Sequence, residues 1–269
     1  MRIDFVKMHG LGNDFVVIDA RERSIAPMTD AAARGIADRH TGIGCDQLIV
    51  LEPSDTADFR MRIYNSDGGE AGACGNASRA VALLHGRPAR LETAGGTIAI
   101  SPGEGGASVD MGQPNFAWNA IPLAYAMDTA NMPLAWDDLS DPGAVNVGNP
   151  HVVFFVPDCD AVDLATLGPV IENDPLFPER VNVNVATVES RFRIRLRVWE
   201  RGAGLTRACG TGACATAVVA MRRGLVEREV AVALPGGDLT ISLSEDNHIT
   251  MTGPASEAFR GSFAWDDFA

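Results

Sequence analysis

The sequence predicts an α+β fold made of two homologous lobes related by pseudo-twofold symmetry, each a curved, largely antiparallel sheet wrapped around a central helix. The first of three supporting observations is internal repetition. Residues 72–86 (GACGNASRAVALLHG) and 207–221 (RACGTGACATAVVAM) both carry Ala-Cys-Gly ahead of an apolar run, and Cys74 and Cys209 lie 135 positions apart in a chain of 269. The same offset aligns FRMRIYN (59–65) with RIRLRVWE (193–200), matching Arg60 with Arg195, Arg62 with Arg197 and Asn65 with Glu200, and it sets Gln47 opposite Asn182. GNDFVV (12–17) and GNPHVV (148–153) match at 136, ETAGGTIAIS and ALPGGDLTIS at 141, so small insertions collect in loops. A nearly constant offset over five segments marks a duplication. The second observation is alternation of Arg with apolar residues in 59–65 and 193–200, the period of a half-buried antiparallel strand. The third is the alanine-rich stretches 75–86 and 210–223, apolar almost all round and therefore helices buried on most faces.

Taken in order, VVIDA (16–20) and QLIVLE (47–52) are short β-rich runs bounded by turn residues, followed by the alternating strand 59–65, the helix 75–86 and TIAIS (97–101). Residues 116–143 interrupt the matched register and read as a connector. HVVFFV (151–156), the strand 193–200, the helix 210–223 and LTISL (239–243) then repeat the first series. The terminal SFAWDDFA has no counterpart and is expected to return to the first half. The expected lobes are 1–118, joined by the tail 256–269, and 119–255.

Composition narrows the function. Twenty-two basic against 35 acidic residues give a formal charge of −13, the wrong sign for a nucleic-acid surface or a polybasic membrane anchor. The apolar stretch 208–221 is too short to span a bilayer. The start, MRIDFVKMHG, shows no apolar export segment, so a cytoplasmic protein is expected. Lys7 is the single lysine, which leaves a Schiff-base cofactor one N-terminal anchor and makes pyridoxal phosphate an unfavoured expectation. The five cysteines form neither CxxC pairs nor HExxH-associated spacings, so no metal site is expected. Cys159 and Cys214 read as small buried hydrophobes, with Cys45 left open.

Cys74 and Cys209 differ because each precedes a glycine and a helical run. At a helix start, unpaired backbone N–H groups and the macrodipole favour negative charge, so a thiol there is expected to titrate low and serve as a base. The same N–H groups can hold a carboxylate. Two such thiols facing each other suit inversion of a carbon bearing a weakly acidic hydrogen, which needs a base on one face and an acid on the other. That reaction requires no metal or cofactor. The opposing interpretation is that Ala-Cys-Gly only packs each helix closely against a strand.

MHGLGNDF (8–15), GIGCDQ (42–47), NSDGGEAGACGNASR (65–79), VNVGNPH (145–151) and ERGAGLTRACGTGACA (200–215) occur in order over nearly the whole chain, and together they resemble the diaminopimelate epimerase family. The resemblance implies a cofactor-independent epimerase that interconverts LL- and meso-2,6-diaminoheptanedioate in lysine and cell-wall precursor synthesis. It further implies barrel-like lobes with the active site between them, and a homodimer, to which the segment around Phe259 is expected to contribute. By motif, Cys74 and Cys209 are the paired base and acid. Substrate contacts fall on Asn13, Gln47, Asn65, Asn149, Asn182, Glu200 and Arg201, backbone groups of Gly75, Asn76, Gly210 and Thr211 hold the reacting carboxylate, and His151 and Glu200 adjust the thiols. A ring of neutral amides with one Glu–Arg pair is expected to fix the far end of a substrate bearing a carboxylate and an ammonium at each terminus.

The chain departs from the family pattern at the first cysteine, where Ala73 and Ala77 replace a methionine and a glycine and Gly69 stands where serine is usual. Ala77 is compatible with a helix if its φ is negative. Proline or hydroxyproline racemases resemble Cys-Gly-His at this point, whereas this chain has Cys74-Gly75-Asn76, and phenazine-type isomerases lack the cysteine pair. A thiol redox switch and a non-catalytic dicarboxylate-binding module are the alternatives from other functional classes.

Overall fold

The computed structural model describes residues 1–268; Ala269, the last residue of the expected tail, lies outside the described residues. The chain divides into two compact units, Met1–Val109 with the chain from Gly253 onward, and Asp110–Thr252. Among the described residues no helix is long and apolar enough to cross a membrane.

The first unit contains β1 (Arg2–Gly10), β2 (Asn13–Asp19), α1 (Asp30–Ala37), β3 (Gln47–Glu52), β4 (Phe59–Asn65), β5 (Glu70–Ala71), α2 (Gly75–His85), β6 (Ala89–Thr93), β7 (Gly96–Gly103) and β8 (Gly106–Asp110). Neighbours pair antiparallel except β2 with β3 and β4 with β6, which run parallel. Parallel neighbours need a crossover, and α1 and α2 lie in those two connections. The C-terminal strand Ser256–Ala264 pairs antiparallel with β1. Helix α2 packs against β1, β2, β7 and that strand. Residues 75–82 are all buried, and the helix ends at Gly86, whose φ of 76° lets its N–H reach the Ala82 carbonyl at 3.0 Å.

The second unit contains β9 (Ala135–Trp136), β10 (Leu139–Ser140), β11 (Gly143–Asn146), β12 (Pro150–Phe155), α3 (Leu164–Glu172), β13 (Asn182–Ser190), β14 (Arg193–Glu200), β15 (Gly204–Thr206), α4 (Gly210–Arg222), β16 (Glu229–Leu234), β17 (Gly237–Leu243) and β18 (Ile249–Gly253). From β11 to β18 the pairings repeat those of β1 to β8 one for one, with parallel pairs β12–β13 and β14–β16 and with α3 and α4 in the corresponding crossovers. Helix α4 packs against β11–β14, β16 and β17.

Each unit thus holds a second helix in addition to the enclosed one. Helix α1 is capped by Thr29, whose hydroxyl accepts from the Ala32 N–H, and packs Ala32, Ala33 and Ile36 against Val16, Leu48 and Val50. Residues 116–143 do more than connect: Ile121, Leu123, Met132 and Leu139 are buried in the second unit's core with Val152, Phe154 and Val183.

Candidate active site

Strand alternation sorts the polar candidates. In the first unit Val16, Ile18, Leu48, Val50 and Tyr64 share the core with α1, so their odd-numbered neighbours Phe15, Val17, Ile49, Met61 and Ile63 occupy the opposite face. Asn13, Gln47 and Asn65 continue those odd rows at the strand ends. The register sets Phe15 beside Gln47 and Gln47 beside Asn65. Gln47 donates from Nε2 to Asn65 Oδ1 at 3.0 Å, and its Oε1 is buried with no partner among the described residues.

Cys74 is the N-cap of α2, with φ −149° and ψ 108°, and its sulfur accepts from the Ala77 N–H at 3.4 Å. The α2 ladder opens with the Ser78 N–H to the Cys74 carbonyl, so the N–H groups of Gly75 and Asn76 stand outside it. Asn76 donates to Asn13 Oδ1 at 3.1 Å and accepts from the fully buried Arg79 at 3.0 Å. Ala77 is helical, without the positive φ that would have required glycine.

The second unit repeats this frame with different chemistry. Asn182 occupies the place of Gln47, donates to the Pro150 carbonyl at 2.8 Å and accepts from the Arg201 N–H at 3.0 Å. His151 takes the place of Phe15, fully buried, with Nε2 2.9 Å from Asn149 Oδ1 and Nδ1 3.1 Å from Asn184 Nδ2. Burial pushes this imidazole down to about 3, which favours its neutral form. Cys209 is the N-cap of α4, buried, with its sulfur 3.6 Å from Thr211 Oγ1. The α4 ladder begins with the Ala213 N–H to the Cys209 carbonyl, leaving those of Gly210 and Thr211 outside it.

One expectation is overturned here. Burial pushes the Cys209 thiol well above its ordinary value, and the neighbouring Glu200 carboxylate raises it further, so at this helix start desolvation and a like charge outweigh the favourable dipole. Cys74 is only half-buried. Glu200 and Arg201 do not pair with each other among the described residues; the Arg201 guanidinium donates to the Glu179 carbonyl at 2.9 Å.

Sequence reasoning missed two supporting groups. Glu172, buried at the end of α3, accepts from Trp199 Nε1 at 2.7 Å and from the Gly202 N–H at 2.9 Å, and so holds the turn that carries Glu200 and Arg201. Nothing in the local sequence marks it. Asn184 could have been found, because it stands on the buried face where the first copy has Ile49. Lys7 is occupied by Asp14 and the Gly44 carbonyl. The remaining cysteines, Cys45, Cys159 and Cys214, are buried in the cores. Asp158, Cys159 and Asp160 form a group of potential metal ligands, but Arg195 pairs with both carboxylates.

A family model described as diaminopimelate epimerase matches residues 5–117 and 143–257. The chain is 68% identical to the diaminopimelate epimerase of Erythrobacter litoralis over the full length of both. It is 62% identical to that of Sphingopyxis alaskensis over 98% of each. Among solved structures it resembles a phenazine biosynthesis protein of the PhzF family from Bacillus anthracis, with a TM-score of 0.71 at 15% identity, covering 98% of this chain and 99% of the other.

Proposed function

The chain belongs to the diaminopimelate epimerase family, and on that premise we propose that it interconverts LL- and meso-2,6-diaminoheptanedioate by two-thiol proton transfer at one α-carbon, serving lysine and peptidoglycan precursor synthesis in the cytoplasm. The observation that carries this reading is a cysteine at the N-cap of the enclosed helix in each of two topologically matching units. The match of pairings also supports descent of both units from one ancestral copy.

In the proposed step one sulfur, as thiolate, removes the α-proton. The S–H bond forms as the C–H bond breaks, and the electron pair stays on the α-carbon and its carboxylate. The other thiol then protonates the opposite face and is left as thiolate, so charge is conserved and the roles exchange in the reverse direction. Burial and Glu200 favour the protonated form of Cys209, which fits Cys209 as the acid in the direction in which Cys74 is the base. N–H groups of Gly75, Asn76, Gly210 and Thr211 would hold the reacting carboxylate as charge builds on it. Asn13, Gln47, Asn65, Asn149, Asn182, Glu200 and Arg201 would hold the rest of the substrate, the buried Gln47 Oε1 being an acceptor suited to an ammonium. No step calls for a metal or cofactor.

Incubation with the LL isomer in deuterated water tests the reading: meso product labelled at one α-carbon is expected, and product without label would end it. Cys74→Ala and Cys209→Ala should each lower turnover by at least about 10²-fold while circular dichroism stays unchanged. Full turnover in either variant would restore the packing interpretation. We further propose a homodimer that uses the face around Phe259. This ring is 51% exposed and packs edge-on against Phe5 at 6.0 Å. Light scattering should report a dimer for the parent and a weaker one for Phe259→Ser.

A further inference from the structure

The second unit carries a pair of buried polar side chains that the first does without. Where β2 and β3 place Phe15 and Ile49, both fully buried, β12 and β13 place His151 and Asn184, also fully buried. The first copy shows that this sheet accepts an apolar pair at these positions, so the polar pair is not a requirement of the architecture.

Hydrogen bonding fixes the sense of each group in turn. Asn184 Nδ2 lies 2.9 Å from the Val152 carbonyl and 3.4 Å from the Asn182 carbonyl. Turning this amide over would set its oxygen against both, so the NH2 end is bound to face them. The same nitrogen lies 3.1 Å from His151 Nδ1; its two hydrogens serve the two shorter contacts, Val152 and His151, and since an amide nitrogen cannot accept, Nδ1 is the acceptor. The ring hydrogen then sits on Nε2 and is donated to Asn149 Oδ1 at 2.9 Å. With Oδ1 occupied, Asn149 presents its NH2 outward. If the hydrogen moved to Nδ1, Nε2 would accept instead, and Asn149 would turn over to present its oxygen.

We propose that Asn184 is a positioning residue: it locks His151 in the Nε2–H tautomer and thereby makes Asn149 a donor toward an anionic oxygen of the substrate. This rests on the reading of Asn149 as a substrate contact. It gives His151 a geometric role. It also accounts for a cost, since Asn184 Oδ1 is buried without a partner among the described residues, pressed where a Cβ on Gly212 in the first turn of α4 would come within 2.7 Å. A side chain retained only for packing would not leave that oxygen unpaired when Ile49 fills the equivalent place.

The test uses the full chain labelled with ¹⁵N. Long-range ¹H–¹⁵N spectra, with the His151 ring assigned by its loss in His151→Phe, should show a single Nε2–H tautomer in the parent and averaging between tautomers in Asn184→Leu. Kinetics on the LL isomer should show KM raised roughly 10-fold or more in Asn184→Leu with a smaller change in kcat. The double variant His151→Phe with Asn184→Ile, which copies the first unit, should fold with an unchanged or higher Tm and show the same or a greater rise in KM. An Nδ1–H or doubly protonated ring in the parent overturns the proposal, as do parental kinetics in Asn184→Leu or a loss of activity that only follows a loss of Tm. Absence of turnover by the parent would instead defeat the functional reading, with the tautomer still decided by the spectra.

Discussion

At the scale of single residues, the two cysteines occupy the same N-cap position and differ in burial. Cys209 is buried beside Glu200, and both factors disfavour its thiolate. Replacing Glu200 by Gln removes the like charge but not the burial, so the thiol should titrate lower. Alkylation of Cys209 in a Cys74→Ala background, followed by peptide mass mapping across neutral to alkaline pH, should show the midpoint move down; an unmoved midpoint would mean the carboxylate is electrostatically remote. Asp14 is the counterpart on the acid side. Burial alone would raise its carboxyl, but hydrogen bonds from Arg39 and Lys7 hold it well below the ordinary 3.8. Its stabilising contribution is therefore complete above 3.8 and disappears as pH falls through the lower folded value. Asp14→Asn should accordingly lose stability at neutral pH and show a flatter acid limb in urea unfolding. The cysteine pair was legible because the repeat aligned it, and the substrate contacts were legible through the family resemblance. Their electrostatics were not, since the burial that raises Cys209 depends on strands distant in sequence.

At the scale of elements, α2 and α4 were legible because long alanine-rich runs have no polar face and so must be enclosed. The alternating strands 59–65 and 193–200 were legible because one face of each is charged. Helices α1 and α3 escaped notice. Each spans nine residues or fewer and is held by a cap and by packing, with no sustained period to mark it. Their caps are correspondingly important: Thr29→Ala should cost about 1 kcal/mol in thermal or chemical unfolding. The start of α4 depends on close approach. A Cβ at Gly212 would lie 2.7 Å from Asn184 Oδ1 and 3.0 Å from Val198 Cγ2, both fixed by β13 and β14. Gly212→Ala should therefore cost about 1–3 kcal/mol and displace the turn that carries Cys209, lowering kcat. A variant with full stability and turnover would show that the helix start has room to shift.

At the scale of the whole molecule, duplication explains why both units share one order of pairings, yet the chain closes them differently. The second unit is continuous from Asp110 to Thr252, whereas the first leaves off at Val109 and resumes only at Gly253. The resumed segment is structural: it pairs with β1 from Arg2 to His9, and it buries Phe263 and Trp265 among Ile3, Phe5, Val16 and Ile18. Losing one such aromatic side chain typically costs about 3–5 kcal/mol, and the total stability of a domain is only about 5–15 kcal/mol. A chain ending at residue 255 should therefore keep a folded second unit and lose the first. Hydrogen exchange read by mass spectrometry should show protection retained in β11–β14 and lost in β1–β4. Protection persisting in β1–β4 would mean that the terminal strand is an accessory. Since synthesis delivers that strand after the second unit, the same argument places completion of the second unit before the first, so exchange labelling of stalled chains that expose residues 1–252 should find β11–β14 protected while β1 is still open.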